Sequence, residues 1–374
     1  MLPLKFRIPL NQIFRDMSII RIFHIPSRFT VLHENTSIYS VLMKLKNEFS
    51  VGKYTIGESS RPFLAAEIGL NHNNDPEIGK RTIAAAAKAG ADAVKFQSYV
   101  THEFIDSRNS EAKFLFDIFK KYELSEKLHR EFQKTAESEG VIFFSTPLCE
   151  GSVDLLLSMN VPVIKIASGD IVNYPLLKKT AETGLPVFLS SGAADFYEVT
   201  RAMEFLSASV DRICLMHCLS MYPAPPEKLN LRTLELYKEI YECPLGFSDH
   251  SAGTLGAALS VGLGASVIEK HFTLDKNLPG PDHQISASPD ELKKLREDID
   301  TAFRMRGEKV KRPTAEEAAG RFYGRRSAYV QNSRLTALRP ALHARDSAIA
   351  DSWDIKDMQN NEKASEGAVR KFTV

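Results

Sequence analysis

The chain is poor in cysteine: Cys149, Cys214, Cys218 and Cys243 are the only four in 374 residues, and no CxxC pair occurs. That argues against a disulfide scaffold and suits a reducing, cytoplasmic setting. No run is long and apolar enough to span a bilayer, so no membrane partner is expected. Charges nearly cancel, to a formal +1, which gives no electrostatic reason to expect nucleic acid. A glycine-rich dinucleotide fingerprint, a P-loop and a nucleophile elbow are all missing. Ser191-Gly192-Ala193 reads only as a turn from strand to helix. What is there is ordinary for a globular chain, 43% hydrophobic and 25% charged, with length for one large α/β barrel and extensions.

Before Arg61 the sequence is uninformative. Lys5, Arg7, Arg15, Arg21 and Arg28 against Asp16 give a faint likeness to a transit peptide, without the apolar core of a secretory signal. An extension, or a fragment of an accessory module, is the preferred reading of residues 1–54. Thr36 or Ser37 is placed to cap a short helix through Lys46.

From Arg61 onward, short apolar runs alternate with amphipathic stretches, the signature of βα units. Strands are expected at Phe63–Ala66, Ala93–Phe96, Ile142–Ser145, Val163–Ala167, Val187–Ser190, Ile213–His217, Leu245–Ser248 and Ser266–Lys270. Helices fit between them, and Pro289–Arg306 supplies another after the last strand. Gly90, Gly140, Gly184 and Gly264 follow helical stretches as helix-terminating residues do. Asp75-Pro76 and Ser288-Pro289 set a capping side chain before a first-turn proline. Eight such units predict a (β/α)8 TIM barrel, an α/β fold, over residues 55–310. The longest interruption, Ser98 to Glu123, falls on the catalytic rim. Residues 311–374 form a linker and a short, atypical C-terminal segment, with Arg325–Val330 reading as one further strand.

A parallel barrel keeps its chemistry at the carboxyl ends of its strands, and there the apolar runs turn polar. Glu67 ends the first strand. Lys95 and Gln97 share a side of the second, opposite Val94 and Phe96. Lys165 repeats the device on the fourth. One lysine alone suits a solvated rim equally well, but two at matching positions favour an anion between them. Thr146, Ser168 and Ser190 at neighbouring strand ends would complete a phosphate pocket. A lone histidine is more often a packing residue than a ligand. His250 and His271 on adjacent strand ends, with Asp249, Glu269 and Asp282 near, invert that balance. Mixed imidazole and carboxylate donors suit manganese, iron or zinc. Tyr222 and Asp249 are candidates to bind sugar hydroxyls or orient a ligand, while Cys214 and Cys218 read as core residues.

Taken in order, these motifs resemble the sialic acid synthase family, the N-acetylneuraminate synthases and relatives making legionaminic, pseudaminic and spore-coat sugars. The likeness runs from about Phe63 to Val330. It includes Ala66-Glu67-Ile68-Gly69, Ala93-Val94-Lys95-Phe96-Gln97, Phe144-Ser145-Thr146-Pro147, Lys165-Ile166-Ala167-Ser168-Gly169, Tyr222-Pro223, Ser248-Asp249-His250, Glu269-Lys270-His271-Phe272-Thr273 and Pro279-Gly280-Pro281-Asp282.

The resemblance implies that His250 and His271 bind a divalent metal, Mn2+ with Mg2+ or Co2+ as alternatives. It implies that Lys95, Thr146, Lys165, Ser168 and Ser190 hold phosphoenolpyruvate, that Glu67 and Gln97 line the reacting centre, and that Tyr222 and Asp282 lie on the sugar side. Asp170 and Ser248 join the substrate-binding set. The implied reaction condenses phosphoenolpyruvate with an open-chain N-acyl hexosamine such as N-acetylmannosamine, in a homodimer. Asp170 stands where many members have Glu, and Ser220 where many have Asn. Gln331–Val374 does not match the antifreeze-like domain that ends many members, so no arginine is assigned from it. Two rival readings are a related synthase acting on an aldose phosphate and a degraded barrel that binds sugar or phosphate without turnover.

Overall fold

The computed structural model describes residues 23–25, 28–30, 45–331, 334–339, 355–357 and 362–363. The cap expected at Thr36 or Ser37 lies outside them. Two compact units divide at Gly307 and Glu308.

The first unit holds the (β/α)8 barrel. Its strands are β1 (Phe63–Gly69), β2 (Ala93–Ser98), β3 (Ile142–Pro147), β4 (Ile164–Ile166), β5 (Val187–Ser190), β6 (Ile213–Cys218), β7 (Leu245–Asp249) and β8 (Ala265–His271). They close in sequence order, β8 pairing in parallel with β1. The helices are α1 (Pro76–Lys88), α2 (Glu126–Ser138), α3 (Glu150–Ser158), α4 (Tyr174–Glu182), α5 (Phe196–Ser207), α6 (Thr233–Ile240), α7 (Leu255–Gly262) and α8 (Pro289–Arg306). All eight expected strands and helices are present, with ends shifted by one to a few residues.

Local signals act as read. The Asp75 carboxylate accepts from the Glu77 and Ile78 amides, and Ser288 forms a reciprocal capping box with Glu291. The four helix-ending glycines adopt φ of +92, +75, +65 and +106°, a region where a side chain would be strained. Between Ser98 and Glu123 the chain is not plain loop. It carries helix Lys113–Tyr122, and Phe119 from that helix packs against Tyr99 and Phe104.

Strand alternation sorts the side chains into two cores. Leu64, Ala66, Ile68, Val94 and Phe96 face the helices. Phe63, Ala65, Ala93, Phe144, Val163, Phe188, Cys214, Met216 and Val267 fill the lower barrel. Phe188 meets Phe63 and Phe144 edge-on, ring centroids 6.0 and 5.9 Å apart. Each such buried ring contributes roughly 1.5–3 kcal/mol of apolar burial. A β-hairpin, Glu48–Val51 with Tyr54–Gly57, adds Phe49, Val51 and Ile56 to that same core.

In the second unit, Ser327–Gln331 forms the expected strand. It lies between Arg334–Leu338 and Ile355–Asp357, which pairs in turn with Glu362–Lys363.

Candidate active site

Above the apolar filling of the barrel, the inward positions turn polar on one strand after another. On β1, Phe63 and Ala65 are followed by Glu67. On β2, Ala93 is followed by Lys95 and Gln97. On β8, Val267 is followed by Glu269 and His271. This two-residue step places the side chains around one cavity of about 500 Å³. Every expected site residue lines it except Asp170 and Asp249. Asp170 lies in a turn after β4, where its carboxylate accepts from Asn173 Nδ2 at 3.0 Å.

The charged floor is buried. Lys95 Nζ lies 3.0 Å from Glu67 Oε2, 3.7 Å from Glu269 Oε2 and 2.9 Å from Thr146 Oγ1. Lys165 Nζ lies 3.8 Å from Glu269 Oε1 and donates to the Ile166 carbonyl. Gln97 Nε2 donates to Glu67 Oε1 at 3.3 Å, and Ser248 Oγ to Glu269 Oε1 at 2.9 Å. The two carboxylates diverge. Burial and the nearby Glu269 charge push Glu67 up to about 7 despite Lys95. For Glu269 burial acts upward too, but Lys165, Lys95 and the Ser248 hydroxyl outweigh it, and the group falls to about 2. One carboxyl is thus poised to exchange a proton near neutrality while its neighbour stays ionised. Burial lowers Lys165, whereas the two carboxylates outweigh it at Lys95.

Hydroxyls gather on the side of β4, β5 and β6. The Gly192 amide donates to Ser168 Oγ at 3.0 Å. A Cβ at Gly192 would come within 2.5 Å of Ser220 Oγ and 2.7 Å of Ser168 Oγ, so any side chain in this turn would displace the hydroxyls that line the cavity. Ser190 Oγ is buried and has no partner among the described residues.

The imidazoles stand at the ends of β7 and β8. Their ring centroids are 5.5 Å apart, and Tyr222 packs 4.1 Å from His250 and 5.7 Å from His271. His250 Nδ1 lies 2.8 Å from the Leu219 carbonyl. A carbonyl only accepts, so Nδ1 carries the proton, and in the neutral ring Nε2 keeps its lone pair. At His250 burial acts downward, but Cys218 and the Leu219 carbonyl outweigh it and raise the group. His271 is pushed down to about 3 by burial and then by His250. Its Nδ1 is buried without a hydrogen-bond partner, 4.0 Å from Asp282 Oδ2. Among the described residues no three His, Cys, Asp or Glu side chains form a group able to hold a metal ion.

Some lining residues were outside the expected set. Glu269 is the chief one, yet the alternation that singles out His271 also turns Glu269 inward. Cys218, read as core, reaches the cavity, 3.8 Å from His250 Nδ1. Leu70, Phe119, Leu148, Pro281 and Ile285 give the cavity an apolar wall that no local motif announces. Asp249, considered as a ligand-orienting or sugar-binding group, is not among the lining residues and pairs with Lys270 instead.

The NeuB family model matches residues 82–311. The chain is 36% identical over 320 residues to the N,N'-diacetyllegionaminic acid synthase of Legionella pneumophila, covering 79% of this chain and 90% of that one. It is 34% identical over 279 residues to the human N-acetylneuraminate-9-phosphate synthase, covering 72% and 77% of the two chains. Among solved structures it is similar to the N-acetylneuraminic acid synthetase of Leptospira borgpetersenii, crystallised with citrate. That match has a TM-score of 0.70 and 36% identity, covering 74% of this chain and 95% of that one. The chain belongs to the NeuB family, the sialic acid synthases.

Proposed function

We propose that the protein is a transferase that condenses phosphoenolpyruvate with an open-chain N-acyl hexosamine, giving a sialic-acid-type nonulosonate and phosphate. The observation that carries this reading is the lining of the cavity: two buried ammonium groups, a set of hydroxyls and two imidazoles converge on one space.

In this reading C3 of the enol attacks the aldehyde carbon, water adds at C2, and C–O cleavage releases phosphate. Lys95 and Lys165 neutralise phosphoenolpyruvate and fix its enol face, while Thr146, Ser168 and Ser190 donate to its oxygens. The unpartnered Ser190 hydroxyl supports an anion there. Glu67, held near neutral pKa, takes the proton of the attacking water. Tyr222 and Asp282 sit beside the imidazoles, on the acceptor side.

The imidazoles fit a divalent cation. His250 offers Nε2, and the orphaned Nδ1 of His271 marks a ring still short of a partner. Two protein donors would leave room for substrate and water on the ion. Mn2+, with Mg2+ or Co2+ as substitutes, would be held by His250 and His271 and would supply a Lewis acid for the aldehyde oxygen. A homodimer and a cytoplasmic location belong to the same reading. Phosphate release with phosphoenolpyruvate, Mn2+ and a panel of N-acyl hexosamines, with the product identified by mass, tests it. A nine-carbon ulosonate is the expected product. No phosphate release from any acceptor would overturn it in favour of a barrel that binds without turnover.

A further inference from the structure

Two ionised groups are buried beside the imidazole pair but face away from the cavity. Asp249 and Lys270 are register partners on β7 and β8. They are 1% and 4% exposed, with Lys270 Nζ 3.0 Å from Asp249 Oδ2. One step earlier on each strand, Ser248 and Glu269 line the cavity, so alternation turns Asp249 and Lys270 towards the helices. A buried ion pair is a weak stabiliser, because the desolvation of two charges offsets their attraction. An apolar pair of similar size would fill the same space without that cost. Stability alone does not account for it.

The remaining bonds of the pair point elsewhere. Asp249 Oδ1 accepts from the Ser251 amide at 2.8 Å and from Ser251 Oγ at 2.6 Å. Lys270 Nζ also donates to the Ser251 carbonyl. The residues on either side of His250 are therefore both gripped by the residue immediately before His271. Gly256, at the start of α7, makes room for this arrangement, since a Cβ there would lie 3.0 Å from Ser251 Oγ. From the other side, the Ala224 amide donates to the His250 carbonyl at 2.9 Å.

We propose that Asp249, Ser251 and Lys270 form a positioning clasp that sets the spacing and ring orientation of His250 and His271. The three act through the histidines and touch no reacting atom. The clasp deepens the reading given above, and rests on it for the identity of the ligand, a divalent cation. Two rings held in place before the cation arrives avoid an ordering cost that loose rings would incur on binding. Groups that orient metal ligands from behind change metal affinity by about 10–100-fold when removed.

Lys270→Met removes the ammonium. The double variant Asp249→Asn/Lys270→Met removes both charges, so that no lone buried carboxylate unfolds the protein. Three readouts separate the outcomes: Mn2+ binding without substrate by calorimetry, phosphoenolpyruvate binding, and histidine-ring 1H–15N spectra of the metal-free protein. The expected result in folded variants is a Mn2+ dissociation constant weakened about 10–100-fold. Phosphoenolpyruvate affinity stays at the wild-type value, and the His250 ring loses its single Nδ1–H tautomer. Wild-type Mn2+ affinity in a folded variant overturns the proposal. So does an equal loss of cation and phosphoenolpyruvate binding, or failure of both variants to fold, either of which marks the pair as structural. If the wild-type protein binds no Mn2+, the metal reading fails by itself and the ring spectra decide. An unchanged His250 tautomer then rejects the clasp, and a lost one upholds it.

Discussion

Glu67 and Glu269 show how far single residues could be read. Their inward direction follows from the two-residue period of a strand, and so was legible for Glu67, Lys95, Gln97 and His271. The opposite pKa shifts of the two carboxyls were not, because they depend on burial and on how each is shared between Lys95, its neighbour on the next strand, and Lys165. Glu67→Gln is expected to keep phosphoenolpyruvate binding while lowering kcat by about 10²–10⁴-fold, the usual contribution of a proton-transfer group. Turnover at the wild-type rate with both substrates bound would remove Glu67 from that role. His72 gives a second expectation at this scale. It is buried, its Nδ1 accepts from the Asn74 amide at 2.9 Å, and burial, with lesser help from His129 and His283, pushes it down to about 3. The folded pKa lies below the unfolded one, so its share of stability is full above pH 6.5 and is lost as pH falls. Between pH 6.5 and 5 the cost should steepen from about 0.7 to about 1.3 kcal/mol per pH unit. Urea unfolding of wild type and His72→Asn across that window should show a slope shallower by about that amount in the variant.

Among the elements, helix caps and helix-ending glycines were legible because their cause is local: a side chain beside its own amides, or a positive φ that only glycine adopts freely. Gly79 was not. Inside α1 it looks like a helix penalty and nothing else, yet a Cβ there would lie 2.1 Å from Phe132 Cζ of α2. Phe132 cannot retreat, being fully buried and stacked on Phe96 with centroids 5.1 Å apart. Overpacking of this kind costs about 1–3 kcal/mol, against a gain of up to about 1 kcal/mol in helix propensity. Gly79→Ala should therefore lower the melting temperature. Gly262, in α7, has nothing within 4 Å of its added Cβ and no positive φ. There the same substitution should stabilise by about 0.4–1 kcal/mol, so calorimetric melting of the two variants should shift in opposite directions.

For the whole molecule, the barrel was legible because each βα unit repeats the same signals, whereas the seal at its lower end was not. The hairpin Glu48–Val51 with Tyr54–Gly57 is short, and its apolar side chains, Phe49, Val51 and Ile56, make no long pattern. Their partners, Phe63, Phe144, Val163 and Phe188, lie from a few to well over a hundred residues away. Only the closed barrel gathers them. Tyr54 extends the same contact, meeting Phe63 edge-on at 5.4 Å. The apolar layer then separates the hairpin from the polar layer of Glu67, Lys95 and Glu269 above it. Removing buried volume from the seal should loosen the fold without changing the chemistry. Ile56→Ala, at a side chain with no exposed surface, should cost about 2–5 kcal/mol in urea unfolding. In the folded fraction at low temperature, kcat and the KM for phosphoenolpyruvate should stay at wild-type values. A matching loss of kcat in fully folded protein would mean that the hairpin reaches the catalytic layer through the apolar filling, and that stability and catalysis in this barrel are not held in separate tiers.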